Sequence, residues 1–305
     1  MKEVRFASIY FLKVGFFVLT ILLFFVVGGC QQQSKTPAQA DQGQGSPTNV
    51  TEEGSSPGSN TEKTEEGVVI PAIQLPKRTS STESMDMIGL IVYQGRIYTQ
   101  TAAQMEESYV EDLKGEKLGT TKPTIDEWSK QDDYAVEFAS SIGTTEVYSV
   151  KGYDKEFRIM SYGKYDGRVY AEFYETLNGI TVYSGEDVFG KLHLFDRITS
   201  AKYQSYSNWN YDNNKLHSLE NLELINTFVK KLNHTTPYTY EQVRSEVESQ
   251  RNDPSFRQMI LSVEDGTSVE IVLYKSGLIS YGYGGVFFKM DDELFEEVWS
   301  EMPIN

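Results

Sequence analysis

The hydrophobic positions of this chain change their spacing several times, and each change predicts a different kind of element. Residues 14–27 are almost uniformly apolar. Residues 31–83 are dominated by Gln, Ser, Thr, Gly, Pro and Glu, with one short apolar interruption at 68–75. From Met85 onward apolar residues recur at regular intervals, which predicts folded structure. Leu90, Val92, Ile97 and Thr99 flank Gln94-Gly95, a two-residue connection with glycine where positive φ is needed, so residues 89–99 predict a hairpin. Thr101-Ala102-Ala103-Gln104 has the form of a capping box, and a helix with Ala102, Met105, Tyr109 and Leu113 facing inward is expected to follow it. Lys122-Pro123 interrupts the chain. Residues 125–142 carry no decisive period, with Trp128, Phe138 and Ile142 as candidate core residues.

Residues 145–150, 157–161, 169–173 and 180–183 predict strands, punctuated by Asp166-Gly167 and Asn178-Gly179. Residues 192–195 and 198–206 continue the β character, and the Asn-rich stretch 208–214 closes the first half. Leu216, Leu219, Leu222, Ile225, Phe228, Val229 and Leu232 recur at steps of three and four, the clearest amphipathic helix of the chain, with Asn233 as its C-terminal cap. Thr239 and Gln242 form a second capping box ahead of a helix to about Gln250. Strands at 257–263 and 269–275 flank Asp265-Gly266, and a third follows Ser276-Gly277. Asp291 is the expected cap of a final helix bearing Leu294, Phe295, Val298 and Trp299. The expected fold is α+β: a β-rich first half with hairpins and a helix, then an α-α-β-β-β-α unit. The expected division is residues 1–29, 30–83, 84–207 and 208–305, with the alternative that the last two form one domain.

The first 30 residues carry the most specific signal. Lys2, Arg5 and Lys13 precede the apolar run, which is shorter than the roughly 20 residues a membrane span needs and fits a secretory signal. The run ends in Val27-Gly28-Gly29-Cys30. This ending resembles the lipobox of bacterial lipoproteins, which implies that a peptidase cuts before Cys30 and that its sulfur carries a diacylglycerol. Two acyl chains, palmitate among the expected acyl groups, make the tether stable where a single chain binds only marginally, since each buried CH₂ contributes about 0.8 kcal/mol. The resemblance also implies an extracytoplasmic, membrane-anchored location in the cell envelope. Beyond Cys30 the chain resembles uncharacterised lipoproteins of Gram-positive bacteria, and that resemblance brings no activity with it. The polar stretch to Glu83 is expected to be a disordered spacer reaching about 40 Å. The alternative for Val68-Val69-Ile70 is a strand docked on the folded part.

Charge narrows the partners. The 305-residue chain has a net charge of −16, and removing residues 1–29, which hold a net +2, leaves −18. Such a surface repels nucleic acid and anionic polymers. Cys30 is the only cysteine, so no disulfide is available to the folded part.

Candidate chemistry is sparse. His193, His217 and His234 have no metal-ligand spacing, and the acidic pairs Glu106-Glu107, Asp132-Asp133 and Asp291-Asp292 lack the frame of a calcium loop, so no metal or other cofactor is expected. Ser161 and Lys164 match Ser-x-x-Lys, but their partner motifs are missing and a chance match is the better reading. Gly282 to Gly285 leads from strand to strand, which predicts a bulge or close backbone packing. The remaining candidate is aromatic: Tyr206, Trp209 and Tyr211, beside Tyr203 and among asparagines, offer rings and amides to a glycan or peptide. Against this stands a plain turn between the two halves. The expected function is a non-catalytic binding or interaction protein whose partners are the membrane, through its lipid, and an envelope protein or glycan. A cell-envelope hydrolase with a site assembled from distant residues, or a small solute-binding lipoprotein, is the alternative.

Overall fold

The computed structural model describes residues 67–73 and 88–305, apart from 102, 127, 128, 130, 214, 283, 284 and 305. The expected signal peptide, Cys30 and most of the expected spacer lie outside the described residues. The strands are β1 (Val68–Ile70), β2 (Leu90–Tyr93), β3 (Arg96–Gln100), β4 (Gln104–Met105), β5 (Lys114–Thr120), β6 (Glu146–Val150), β7 (Arg158–Tyr165), β8 (Arg168–Glu175), β9 (Ile180–Val182), β10 (Ile198–Ser205), β11 (His217–Leu219), β12 (Thr236–Thr239), β13 (Phe256–Val263), β14 (Thr267–Tyr274), β15 (Leu278–Tyr281) and β16 (Val286–Lys289). The α-helices are α1 (Val110–Leu113), α2 (Tyr206–Asn210), α3 (Leu222–Leu232), α4 (Tyr240–Ser249) and α5 (Glu293–Ser300).

These strands form three antiparallel sheets. Six strands run in the order β2-β3-β8-β7-β6-β5. The largest sheet runs β11-β10-β13-β14-β15-β16-β12, with β4 added to β14, and curls into a half-barrel. β1 and β9 make the third. Among the described residues strand accounts for 40% and helix for 24%, so the balanced α+β fold expected from the sequence gives way to a β-rich one. The expected α-α-β-β-β-α unit is absent. β12 intervenes between α3 and α4 and pairs with β16, and neither of these strands is among the three expected. β10, from the first half, pairs along β13, so a boundary at 207/208 would cut through one hydrogen-bonded sheet.

Local chemistry explains the elements that form, and tertiary pairing explains those that shift. β2 and β3 close on Gln94 and Gly95 with φ of 50° and 70°, the two left-handed residues that match a hairpin's twist. The helix expected after Thr101 does not start there. The Thr101 hydroxyl accepts from Ala103 N and meets the Tyr281 hydroxyl at 3.1 Å, and Gln104–Met105 pairs with β14, so sheet contacts replace the first helical turn. Leu216 and Leu219 also leave the expected helix. α3 begins after Asn221, whose side chain accepts from Leu224 N, and the residues before it form β11 beside β10. Asp292, not Asp291, caps α5 by accepting from Leu294 N and Phe295 N. Val68–Ile70 is a strand paired with Ile180–Val182, so the expected spacer does not extend through this run.

The largest core gathers Met160, Tyr162 and Phe173 of the six-stranded sheet with Met259, Leu261, Val269, Ile271 and Ile279 of the half-barrel and with Ile225, Phe228, Phe295 and Val298 of α3 and α5. Period-two alternation places Phe256 and Leu278 on the opposite face of the half-barrel, where Val243 and Val247 of α4 cover them. Among the described residues no helix is long and apolar enough to cross a membrane.

Candidate functional site

The expected aromatic site is mostly packing. Tyr206 and Trp209 lie on α2, whose cap Ser205 accepts from Asn208 N and whose Ser207 N donates to Asp253 at 2.6 Å. Both rings are partly buried against Phe256, with centroids at 5.3 and 5.1 Å. Phe256 in turn meets Tyr274, which meets Phe287 and through it Tyr240, a continuous row of rings on one face of the half-barrel. Tyr211 does not join them and is 72% exposed. The three residues therefore do not form one surface, and Tyr203 is buried elsewhere, stacked on His217 at 5.2 Å.

The other motifs resolve in the same way. Ser161 and Lys164 are an odd number of residues apart on β7 and so face opposite sides of the sheet. Ser161 is buried, while the exposed Lys164 pairs with Glu111 at 3.2 Å. Glu111 also binds Lys114 and the Tyr162 hydroxyl, and these hydrogen bonds hold its carboxyl down at about 2. Of the glycine segment between β15 and β16, Gly282 and Gly285 have positive φ and open space around them, so the close backbone packing expected there is not seen at either. Among the described residues no group of His, Cys, Asp and Glu has the geometry of a metal site.

Two features were not anticipated from sequence. The first is a buried polar joint between the sheets. Arg158 of β7 donates to Glu175 Oε1 from Nε at 2.8 Å, and the Tyr281 hydroxyl of β15 donates to Glu175 Oε2 at 2.7 Å. The guanidinium lies between the rings of Tyr153, at 4.3 Å, and Phe173, at 4.8 Å. Burial disfavours its charge, but the Glu175 carboxylate beside it more than compensates and keeps it ionised. The Tyr153 hydroxyl donates to Asp265 at 3.0 Å, and Asp265 accepts from the Thr267 hydroxyl and from Arg197 Nη2 at 2.8 Å. Burial opposes ionisation of Asp265, yet the hydrogen bonds from Thr267 and Tyr153 and the Arg197 charge hold its carboxyl below the usual range.

The second feature opens at the outer end of this joint. A cleft of about 260 Å³ is lined by Glu186, Phe189, Gly190, His193, Leu194, Phe195, Arg197, Val229 and Asn233. Three pieces of chain build it. The 3-10 turn Gly185–Asp187 is held by a capping box in which Ser184 and Asp187 exchange hydrogen bonds with each other's backbone. Gly185 N and Glu186 N donate to Thr235 O and Asn233 O, which clamps this turn on the end of α3. The loop that follows takes the left-handed conformation at His193 and Asp196, with φ of 51° and 57°, uncommon for residues other than glycine. Asn226 of α3 accepts from Asp196 N and fixes the loop to the helix.

Arg197 lines the cleft with all three of its guanidinium nitrogens engaged, donating to Glu264, Asp265 and the His193 carbonyl. The His193 ring packs edge-on against Tyr153 at 5.6 Å. Burial, then the charges of Arg197 and Arg158, lowers its pKa, with Asp265 acting in the opposite sense, so the imidazole is held neutral at pH 7. The side chains of Glu186, His193 and Asn233 have no hydrogen-bond or ion-pair partner among the described residues. The sequence reading did not mark this region: the Ser184 and Asp187 capping spacing is the one signal that could have, and His193 and Asn233 read there as an ordinary histidine and a helix cap. No family model, curated protein or solved structure matches the chain.

Proposed function

We propose that this protein is lipid-anchored through Cys30 on the extracytoplasmic face of the cell membrane and binds a ligand or envelope partner without transforming it. The anchor rests on the basic residues, short apolar run and Val27-Gly28-Gly29-Cys30 ending of the sequence. The observation that carries the binding half is the cleft, whose lining combines Glu186, His193 and Asn233, unpartnered among the described residues, with Phe189, Phe195 and Val229. A small concave site with apolar walls and a few convergent polar groups is the usual form of a ligand site. Its lining contains no serine, cysteine, threonine or lysine, and Glu186 and His193 are not joined by a hydrogen bond as a nucleophile and its base would be. The strongly negative surface favours neutral or cationic partners over nucleic acid.

The test uses the full chain with its signal in a bacterial host. Wild type should incorporate labelled fatty acid and fractionate with the membrane, and Cys30→Ala should lose the label and accumulate as precursor. Envelope components captured by the wild-type protein should be lost from a Glu186→Gln, Asn233→Ala variant that unfolds at the same temperature. Normal maturation of wild type without acyl label would reject the anchor, and unchanged capture by the double variant would reject the cleft as the binding site.

A further inference from the structure

We infer that the cleft takes a small organic ammonium ion, an assignment that rests on reading the cleft as the ligand site. Its unpartnered polar groups carry more acceptor than donor capacity: the Glu186 carboxylate only accepts, while the Asn233 amide and the neutral His193 imidazole each accept and donate. The one cation in the lining is already paired with two carboxylates. Arg197 has Glu264 and Asp265 on its Nε and Nη2, each at 2.8 Å, and its remaining terminal nitrogen on the His193 carbonyl at 3.3 Å. With two carboxylates around one guanidinium, this group is itself net negative. A carboxylate or phosphate ligand would therefore meet the Glu186 carboxylate inside the cleft, with the ammoniums of Lys230 and Lys191 only at its rim, whereas an ammonium would find the oxygens of Glu186 and Asn233 in the same lining.

The walls fit the rest of such a ligand. Phe189, Leu194, Phe195 and Val229 offer apolar surface to a short alkyl chain. The Phe195 ring already has an ammonium near its face, Lys230 Nζ at 5.0 Å from the centroid, so this ring is placed for cation-π contact. Asn233 caps the C-terminal end of α3, the negative pole of the helix dipole, which also favours a cation there. Lys230 is the opposing charge at the rim, and Lys191, on the same 3-10 segment as Gly190, is the other. Against them stand Glu186, Asp187, Asp196, Glu264 and Asp265, which leave the surroundings of the cleft negative in a chain of net charge −16. The volume of about 260 Å³ limits the occupant to a small molecule.

The experiment follows the Val229 and Leu194 methyl groups and the His193 ring by NMR in the full-length protein in detergent, titrated with n-butylammonium chloride or with n-butanol at matched ionic strength. Saturable shifts at all three residues with n-butylammonium, and at least about tenfold weaker response to n-butanol, are expected, since loss of one charged hydrogen bond is of that size. Glu186→Gln should weaken n-butylammonium binding about tenfold, and Lys230→Ala, which removes the rim cation, should tighten it. Glu186 has no side-chain partner among the described residues, so an unchanged unfolding temperature will certify that variant as folded. Equal binding of the alcohol and the amine, or binding indifferent to Glu186→Gln, overturns the ammonium assignment while leaving the cleft as a ligand site. No saturable shift with either probe overturns the assignment, and intact capture of envelope components by the Glu186→Gln, Asn233→Ala variant would then remove the cleft reading as well.

Discussion

Arg158 and Glu175 stand directly opposite each other on β7 and β8, joined from Nε to Oε1 at 2.8 Å and from Nη2 to the same oxygen at 2.5 Å, with almost no solvent reaching either side chain. The pair sits where the six-stranded sheet meets the half-barrel, because Tyr281 of β15 supplies the other hydrogen bond to Glu175. Removing one partner leaves a buried uncompensated charge. Glu175→Ala should destabilise the protein by about 3–5 kcal/mol in urea unfolding. The double replacement Arg158→Met, Glu175→Leu, which removes both charges and keeps the volume, should cost less than Glu175→Ala alone. A double variant as unstable as the sum of its singles would show that the pair is not coupled.

Trp209 is placed to stabilise α2 against the half-barrel through Phe256. Trp209→Ala should cost about 2 kcal/mol, below the 3–5 kcal/mol typical of a fully buried tryptophan, because the ring is only partly buried. Capture of envelope components per folded molecule should be unchanged. A binding defect with no loss of stability would return Trp209 to the ligand surface.

Gly185 allows the turn before the cleft to lie against the end of α3. A Cβ at this position would collide with the Leu232 carbonyl oxygen and press on the Thr235 hydroxyl, both held in place by the end of the helix. Gly185→Ala should destabilise by about 1–3 kcal/mol, the range for overpacking a close contact, and weaken whatever binds the cleft. Near-wild-type unfolding by this variant would mean that the turn shifts freely.

His193 makes stability depend on pH. Its folded pKa lies below the ordinary 6.5, since burial and the charges of Arg197 and Arg158 disfavour the imidazolium. As pH falls the unfolded chain takes up this proton first. The contribution of His193 is therefore complete above pH 6.5 and declines as pH drops from there toward the folded pKa. His193→Gln should flatten that part of the stability profile. Asp265, depressed below its ordinary 3.8, contributes stability that is present above that value and lost at lower pH, so the two effects separate in a titration of urea midpoints. An identical slope in wild type and His193→Gln below pH 6.5 would show that the imidazole carries no such linkage.

The sequence by itself determined what depends on neighbours along the chain. Gln94-Gly95, Asp166-Gly167 and Ser276-Gly277 end strands because left-handed backbone is available there, and Thr239 with Gln242 caps α4 through bonds spanning three residues. The apolar face of α3 from Leu222 to Leu232 was legible because a helix repeats its contacts every three or four residues. Sheet membership was not legible, since hydrogen bonds between strands join residues far apart in sequence. Thr101 to Met105 has a helix-start pattern and is strand because β14 lies beside it, and β10 fuses what read as two halves because β13 completes its ladder. The candidate site belongs to that second category. Glu186, His193 and Asn233 have no spacing that announces a site, and they share a cleft only because two backbone hydrogen bonds clamp the Gly185–Asp187 turn on the end of α3 and Asn226 holds the loop after His193.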